Sequence, residues 1–433
     1  MGSFSTPLSG LMAAQDQLQS VSNNLANIDT DGYKDQSLTF SDIYAQTGET
    51  NGAGDPMQTG SGVAVSSTNS NFNEGNLNST GTSSNMAISG NGFFVTKSAS
   101  GLQDYTRAGD FTANKAGELT TPNGELVLGY PAVSGVVNTS GTLQPLQVGS
   151  GVTIPAQVST TVGFTANLDS DTAIGGTTTS SPVSVYDSLG SAHTLSITYT
   201  KTAANTWNYS VTVPSADLTG ATGTTWVVGS GTLNFSGSGQ LTSTTNVVPI
   251  SIGGPGSPAV VGPPAIPAVP ATSLADGATS PLTLNGPFGT AANPTITQTA
   301  TASATSATTT DGFASGTLST YAIQPDGTIE GTFSNGSTLA LGQVAVASFA
   351  NAQGLVSVGN NNYQPTAASG SAVIGMAGTG GRGTIVGGSV EQSNVNIAAE
   401  FAKLIVAQQA YSANAKSVTT FNQVSQATLA MIQ

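Results

Sequence analysis

The sequence predicts an α+β protein that is mainly β. Antiparallel β domains are inserted between N- and C-terminal amphipathic helices, which form a coiled-coil-like core domain. Two observations carry this prediction. Residues 391–433 contain no Gly and no Pro, although the chain has 54 and 20 of them, and their apolar side chains recur at helical spacing. Between the ends, Gly-rich and Thr-rich segments alternate with a period of two, which is typical of short strands joined by turns.

The C-terminal run is predicted to form one helix of roughly 35 to 40 residues. Its seam positions follow an alternating four-three register, as in a coiled coil, but polar Gln408 and Asn422 dilute it. Ser393 and Asn394 precede the seam and are candidate N-caps. The apolar seam residues are Ile397, Phe401, Leu404, Tyr411, Val418, Leu429 and Ile432.

The other end of the chain predicts a second amphipathic helix. Thr6 and Pro7 match an N-cap followed by proline at the first helical position, and residues 11–31 are a second long run without Gly or Pro. From periodicity alone, a helical hairpin inside one globular domain is the simplest interpretation. Both helices need each other, or neighbours, to bury their apolar stripes. The N-terminal stripe is Leu11, Ala14, Leu18, Val21, Leu25 and Ile28.

Composition excludes several classes of partner. Charged residues make up 7% of the chain, against about 25% in ordinary globular proteins. The net charge is −14 and the eight basic residues are scattered singly, so no basic patch is expected for nucleic acid or anionic lipid. No apolar run reaches about 18 residues, so membrane insertion is not expected. The first ten residues lack the pattern of a secretory signal, so an exported chain would leave uncleaved by another route.

The residues needed for catalysis and metal binding are sparse. The chain has no cysteine, which excludes disulfides and thiolate metal sites. Its single histidine, His193, lies in an alternating run and is predicted to be a strand residue facing solvent or core. Asp29, Asp31 and Asp35 fail the calcium-loop spacing, because Tyr33 stands where the third oxygen ligand belongs. The 22 acidic residues leave a carboxylate pair for glycoside hydrolysis open. We expect no enzymatic activity, no cofactor and no metal site.

The central part of the chain divides by composition. The hairpin pattern is clearest around the turn Asp187–Gly190, where flanking residues alternate as strands with one buried face. Residues 253–271 hold six prolines and predict a stiff, extended surface segment. Residues 295–310, nearly all Thr, Ser and Ala, are predicted to be a low-complexity return to the inner domain. The predicted domains are 1–33 with 391–433 for the terminal helical core, 34–70 for an extended connector, 71–158 with 311–390 for an inner β domain, and 159–310 for an outer β domain.

The motifs at the two ends resemble those of a known family. Ser9–Leu11, Ser22–Asn27 and Gly32–Lys34 together resemble the N-terminal signature of the bacterial flagellar rod and hook proteins. The C-terminal signature of the same family is matched by Glu391–Asn396, Glu400-Phe401, Ala407–Tyr411 and Thr419-Thr420.

A third motif separates the two branches of this family. Val185–Gly190, followed by His193–Leu195, resembles the outer domain found in hook proteins and missing from most rod proteins. The resemblance covers nearly the whole chain and is weakest between residues 220 and 310 and in the connector. It therefore indicates a hook-type member of the family.

The resemblance implies a structural subunit of the bacterial flagellar hook. Such a subunit self-assembles into a flexible curved tube that transmits torque from rod to filament, and the helix seams supply its subunit contacts. The implied partners are further copies of the chain, a distal rod protein, a hook cap protein, a hook-filament junction protein and the type III export apparatus. The implied location is extracellular, in the hook and basal body of the flagellum.

Two alternatives remain open from the sequence. A distal rod protein of the same family would need residues 159–310 to be an unrelated insertion. A secreted β-rich adhesin belongs to another class, and it gives the termini no reason to be paired amphipathic helices.

Overall fold

The computed structural model describes residues 5–44, 49–50, 56–57, 60–149, 151–221, 223–245, 250–253, 273–290 and 293–431. It contains two long helices, α1 (Ser5–Ala26) and α2 (Ile397–Ala430), and strands fill most of the chain between them. The predicted fold class is therefore confirmed. No helix among these residues combines the length and apolarity needed to cross a membrane.

The chain folds as two compact units. The first comprises Met1–Val152, Ser319–Thr332 and Thr338–Gln433, and the second comprises Thr153–Leu318 and Phe333–Ser337. Both helices belong to the first unit, and the segments predicted as the outer domain belong to the second. The finer division of the first unit into helical core, connector and inner domain stays a prediction.

The strands are short and numerous in both units. Two of them, Gly316–Ile323 and Thr328–Phe333, span residues assigned to both units. The other strands of the first unit are Gln36–Tyr44, Glu49–Thr50, Pro56–Met57, Gly60–Ser70, Leu77–Ser79, Met86–Ser89, Phe93–Lys97, Gln103–Thr106, Thr112–Ala113, Leu119–Thr120, Leu126–Val133, Val136–Val137, Gln144–Pro145, Thr338–Ser348, Val356–Gly359, Asn362–Gln364, Val373–Met376, Thr384–Gly387 and Ser389–Glu391.

The second unit has fourteen further strands among its described residues. They are Thr153–Ile154, Val162–Asp169, Thr177–Thr179, Val183–Tyr186, Ala192–Ala203, Thr206–Pro214, Thr225–Phe235, Leu241–Thr245, Ile250–Ile252, Leu282–Leu284, Gly289–Thr290, Asn293–Pro294, Ile296–Thr299 and Ala304–Thr310.

The helix ends differ from those predicted. α1 begins at Ser5, so the predicted cap Thr6 lies inside it, and it ends at Ala26 rather than Asp31, because residues 27–32 form turns. α2 begins only at Ile397, and its N-cap is Asn396, whose side chain accepts from the N–H of Ala399 at 3.2 Å. Neither Ser393 nor Asn394 is the cap. Residues 389–391 form a strand instead, since they pair with Leu77–Ser79.

The predicted connector, residues 34–70, is more ordered than a simple extended linker. Gln36–Tyr44 and Gly60–Ser70 form a two-stranded antiparallel ribbon, in which Gln36 pairs with Ser70 and Tyr44 with Gly60. α1 contacts this ribbon, and Ser9 Oγ accepts from the N–H of Val63 at 3.2 Å. No side chain described in its two long strands is fully buried, so the ribbon has no core of its own.

The first unit packs its central sheet on both faces. Phe93 and Phe94 are consecutive on one strand and therefore point to opposite faces. Phe94 lies edge to face with Phe111 at 5.1 Å between centroids, and Phe93 packs in the same manner on Tyr363 at 5.8 Å. Just before this strand, Gly90 and Gly92 both have positive φ, at 103° and 132°, which glycine adopts without strain.

The hairpin series predicted for the second unit is confirmed. Ala192–Ala203 pairs antiparallel with Thr206–Pro214, and buried residues alternate along both strands. Trp207 is fully buried, and its Nε1 donates to Oε1 of Gln298 at 3.1 Å.

Residues 295–310, predicted to be a low-complexity return segment, form two strands instead. Ile296–Thr299 and Ala304–Thr310 both pair with Val162–Asp169. The β-branched threonines that dominate this stretch suit a strand. The predicted proline-rich segment lies, apart from Gly253, outside the described residues.

Two buried tyrosines predict an alkaline sensitivity of the second unit. The hydroxyls of Tyr199 and Tyr209 have no hydrogen-bond partner among the described residues, and burial raises both pKa values, that of Tyr209 to about 12. A tyrosine whose pKa is higher in the folded than in the unfolded protein contributes its full stability below pH ~10, the unfolded pKa. This contribution is lost as the pH rises toward the folded pKa, and it amounts to about 1.4 kcal/mol for each unit by which the two pKa values differ.

Tyr209→Phe should therefore leave stability at pH 7 unchanged or higher, and should lose less stability than the parent between pH 7 and pH 11. Urea unfolding followed by tryptophan fluorescence measures this, since Trp207 and Trp226 both lie in the second unit. Tyr186, only half-buried, is the control, and Tyr186→Phe should behave like the parent. An equal alkaline loss in Tyr209→Phe and parent would contradict the argument.

Candidate assembly surface

The two terminal helices pack against each other in antiparallel orientation. Asn24 of α1 contacts Glu400 of α2. Fourteen residues before Asn24 and fourteen after Glu400, Gly10 lies against Asn414. A Cβ atom added to this glycine would come within 2.8 Å of the Asn414 amide nitrogen. Small residues permit this close approach. Ala13, Ala14 and Ala407 are all buried.

The predicted seam of α1 faces inward only in part. Val21 is 2% exposed, whereas Leu11, Leu18 and Leu25 are half-buried. Ile28 is half-buried too, but it lies in the turn after the helix. The stripe therefore retains apolar surface after α1 has packed within its own chain.

The predicted seam of α2 is turned away from α1 to a greater extent. The inward line passes through Glu400, Ala407 and Asn414, at seven-residue spacing, because Glu400 bonds to Asn24 and Asn414 fits against Gly10. Leu404 and Val418 are half-buried beside this line. The remaining described seam residues are exposed: Ile397 by 52%, Phe401 by 49%, Tyr411 by 39% and Leu429 by 63%. Ile432 lies outside the described residues.

The last third of α2 is exposed along its whole length. Since Gly10 lies opposite Asn414, residue 5, the first described residue of α1, falls opposite residue 419. Every residue from Thr419 to Ala430 is exposed, including Phe421 and Val424.

A fully buried asparagine joins the end of α1 to the start of α2. The Asn24 amide nitrogen donates to the carbonyl of Gln36 at 2.8 Å and to Oε2 of Glu400 at 3.1 Å. Its oxygen accepts from the hydroxyl of Tyr33 and the N–H of Gln36, both at 3.0 Å. Burial, with the charges of Asp35 and Glu400, raises the pKa of Tyr33 to about 12. All hydrogen-bonding capacity of this amide is used.

A buried ion cluster lies next to this asparagine. Oε1 of Glu391 accepts from Nζ of Lys34 at 2.5 Å and from the N–H of Gly75 at 2.8 Å, and Oε2 accepts from Nη1 of Arg107 at 3.1 Å. All three charged side chains are at most 2% exposed. Burial lowers the pKa of Lys34, and the charge of Glu391 opposes that shift. One carboxylate thus holds three chain segments together.

The backbone around the cluster is equally constrained. Gly32 has a φ of +70°, and a side chain there would collide with the backbone of Ala108. The Gly32 N–H donates to the carbonyl of Glu391 at 2.6 Å. The Asn394 side chain accepts from the N–H of Asp35 at 2.8 Å and donates to the carbonyl of Asn71 at 2.7 Å. This bridging role explains why Asn394 is not the helix cap.

These contacts give the two terminal signatures a physical meaning, because residues of one bond directly to residues of the other. Asn24, Lys34, Glu391 and Glu400 belong to the terminal motifs, but their roles are not apparent from sequence alone. The scarcity of charge could have identified the two glutamates from sequence. Residues 391–433 contain only two acidic side chains, and a charged residue in so neutral a segment indicates a specific partner.

The single histidine lies in the second unit, on a strand and facing inward, 4% exposed. Its Nε2 is 3.2 Å from Oδ2 of Asp187 and its Nδ1 is 3.1 Å from Oδ2 of Asp217. The sequence predicted a strand residue at His193 without a ligand role. In the structure, the carboxylates of Asp187 and Asp217 flank its imidazole.

Four family profiles match the chain. They are described as "Flagella basal body rod protein" for residues 4–34, "Flagellar hook protein FlgE/F/G D1 domain" for 87–167, "Flagellar basal body protein FlaE D2 domain" for 153–313, and "Flagellar basal body rod FlgEFG protein C-terminal" for 386–431.

Curated relatives match over nearly the full length. The flagellar hook protein FlgE of Treponema pallidum is 33% identical over 97% of this chain and 97% of its own. FlgE of Escherichia coli K12 is 32% identical over 97% and 98%. Among solved structures, the Helicobacter pylori flagellar hook protein FlgE2 has a similar fold, with a TM-score of 0.50 at 15% identity, covering 73% of this chain and all of that one.

Proposed function

Because this chain belongs to the flagellar hook protein family, we propose that it is a structural subunit of the bacterial flagellar hook. In this role it self-assembles into a flexible curved tube that transmits torque from rod to filament. The observation that carries the proposal is the exposed apolar surface of α2, which includes Ile397, Phe401, Tyr411 and Leu429.

The exposed apolar side chains of α2 favour contact with the helices of further copies of this chain. Fully burying a Leu, Ile or Phe side chain contributes about 1.5 to 3 kcal/mol, and four described seam residues of α2 are more than a third exposed. Further copies of α1 and α2 offer matching apolar stripes. We therefore assign the exposed and half-buried seam residues predicted from sequence to contacts between subunits in the innermost layer of the tube, whereas Ala14 and Val21 are buried within their own chain.

The second unit supports flexibility of the tube. Between residues 153 and 318 the sequence has one lysine, Lys201, and no arginine. Contacts between copies of this unit would therefore rely on Ser, Thr and Asn, which exchange hydrogen bonds with water at little cost, whereas bidentate ion pairs would hold one register. We place this unit in the outer layer of the tube.

The remaining parts of the proposal follow from the family. The subunit would leave the cell through the type III export apparatus without a cleaved signal. It would contact the distal rod protein at one end of the tube, and the hook cap protein and then the hook-filament junction protein at the other. It would have no enzymatic activity and act outside the cell.

Deletion of the gene tests the proposal. Basal bodies isolated from the deleted cells and examined by electron microscopy should end in a bare rod, and expression of the parent chain should restore a curved hook. Basal bodies that retain a hook would contradict the proposal. Basal bodies that lack the distal rod itself would favour the rod protein alternative.

A further inference from the structure

A cluster of potential metal ligands surrounds His193 in the second unit. Nε2 of His193 lies 3.2 Å from Oδ2 of Asp187, and one ligand atom from each of Asp187, His193 and Asp276 lies within 4.8 Å of the other two. Two donors bound to one tetrahedral ion at about 2.0 to 2.2 Å are roughly 3.3 Å apart. The His193–Asp187 distance already matches that of two ligands sharing an ion.

The two carboxylates are held in place by backbone groups. Oδ1 of Asp187 accepts from the N–H groups of Leu189 and Ser191, each at 2.9 Å, which leaves Oδ2 directed at the imidazole. Oδ1 of Asp276 accepts from the N–H of Ala278 at 3.1 Å. In each aspartate Oδ1 is thus anchored by the backbone, and Oδ2 of Asp187 faces the imidazole.

The loop that carries Asp276 is also fixed to the rest of the cluster. The N–H of Thr279 donates to Oγ of Ser188 at 2.9 Å, and the N–H of Ala275 donates to the carbonyl of Asp217 at 3.0 Å. The ligands therefore come from a turn, a strand and a loop that are already bonded to one another. Little ordering would remain for an ion to impose.

A third carboxylate faces the other side of the imidazole. Oδ2 of Asp217 lies 3.1 Å from Nδ1 of His193, yet both atoms are buried and neither has an aligned hydrogen-bond partner among the described residues. A histidine that binds a metal through one ring nitrogen commonly directs the other at a carboxylate. Asp217 occupies that position.

The charges of the cluster are unbalanced. Three aspartates surround one imidazole, and the single basic residue of the 153–318 segment, Lys201, directs its Nζ to the carbonyl oxygens of Ser170 and Thr172 instead. Adjacent carboxylates in a largely buried site repel each other unless a proton or a cation lies between them.

We propose that Asp187, His193 and Asp276 bind one divalent transition-metal ion, with Asp217 orienting the imidazole from behind. A mixed imidazole and carboxylate set suits Zn²⁺ and its first-row neighbours better than Mg²⁺ or Ca²⁺, which prefer all-oxygen ligands. Asp276 is exposed, so water would complete the coordination on that side. The ion would fasten the turn, the strand and the loop together and stabilise the second unit.

Zinc binding to the full, tag-free chain tests the proposal. After removal of metal with a chelator, dialysis against Zn²⁺ followed by elemental analysis should give about one Zn²⁺ per chain. Thermal unfolding followed by tryptophan fluorescence reports on the second unit alone, and Zn²⁺ at a hundredfold excess over its Kd should raise its Tm by roughly 5 to 10 °C. Mg²⁺ at the same concentration should leave Tm unchanged. Background binding should be low, since the chain has no other histidine and no cysteine.

Matched variants locate the site. Asp276→Asn should fold like the parent without metal, because the side chain is exposed and Asn can still accept from Ala278. Its Zn²⁺ affinity should fall at least tenfold, which would reduce the Tm increase at the same Zn²⁺ concentration to about half or less. Asp171→Asn, an exposed aspartate of the same unit, makes the same charge change and should bind like the parent. A parent chain that retains no Zn²⁺, or an Asp276→Asn variant that binds as tightly as Asp171→Asn, would overturn the proposal.

Discussion

Replacing Glu391 with Gln should destabilise the first unit by about 3 to 5 kcal/mol, the usual penalty for removing one partner of a buried ion pair. Gln has nearly the same shape and can still accept hydrogen bonds, so packing is largely preserved. What is lost is the only carboxylate that Lys34 and Arg107 contact within hydrogen-bonding distance among the described residues. Two buried cations would then remain without a counter-charge.

Urea unfolding followed by circular dichroism measures this loss, and tryptophan fluorescence from Trp207 and Trp226 serves as an internal control, because the second unit should be unaffected. Asp42→Asn is the matched variant. Asp42 is an exposed acid on the ribbon, and its replacement should change stability by no more than about 0.5 kcal/mol. If Glu391→Gln shifted the transition no further than Asp42→Asn, the ion cluster would not hold the termini together.

Replacing Phe401 with Asp should abolish polymerisation while the monomer stays folded. Phe401 is 49% exposed on the outward side of α2, so a charge there remains solvated in the monomer. Buried against a neighbouring subunit, the same carboxylate would have to lose its water without a partner, which costs several kcal/mol in each of many identical contacts. Sedimentation and negative-stain electron microscopy report on the polymer, and circular dichroism reports on the monomer.

Phe401→Leu is the control, because it keeps an apolar side chain of similar reach and should polymerise. Tubes formed by Phe401→Asp as readily as by the parent would mean that the outward face of α2 is not a subunit contact. The family membership of the chain would still hold in that case, since it rests on independent matches along the whole length.

Periodicity and composition predict the fold class without tertiary information. Apolar residues at helical spacing in the Gly- and Pro-free ends predict helices, and the alternating run around Asp187 predicts a hairpin, because both periods follow from backbone geometry. The helix ends were predicted less well. Asn394 has the right residue type for a cap, but its side chain bridges Asp35 and Asn71 instead, and no local pattern distinguishes these uses.

The sequence by itself determined the two terminal helices and the central hairpin series, which family the terminal motifs resemble, and that charges are scarce. Only the tertiary structure decided where those charges lie. Glu391 meets Lys34 across 357 residues of chain, and Asp276 approaches His193 from a loop far along the sequence. Such pairings depend on how whole elements pack. Local propensity and spacing carry no information about that packing, because burial and partner choice are set by residues distant in sequence.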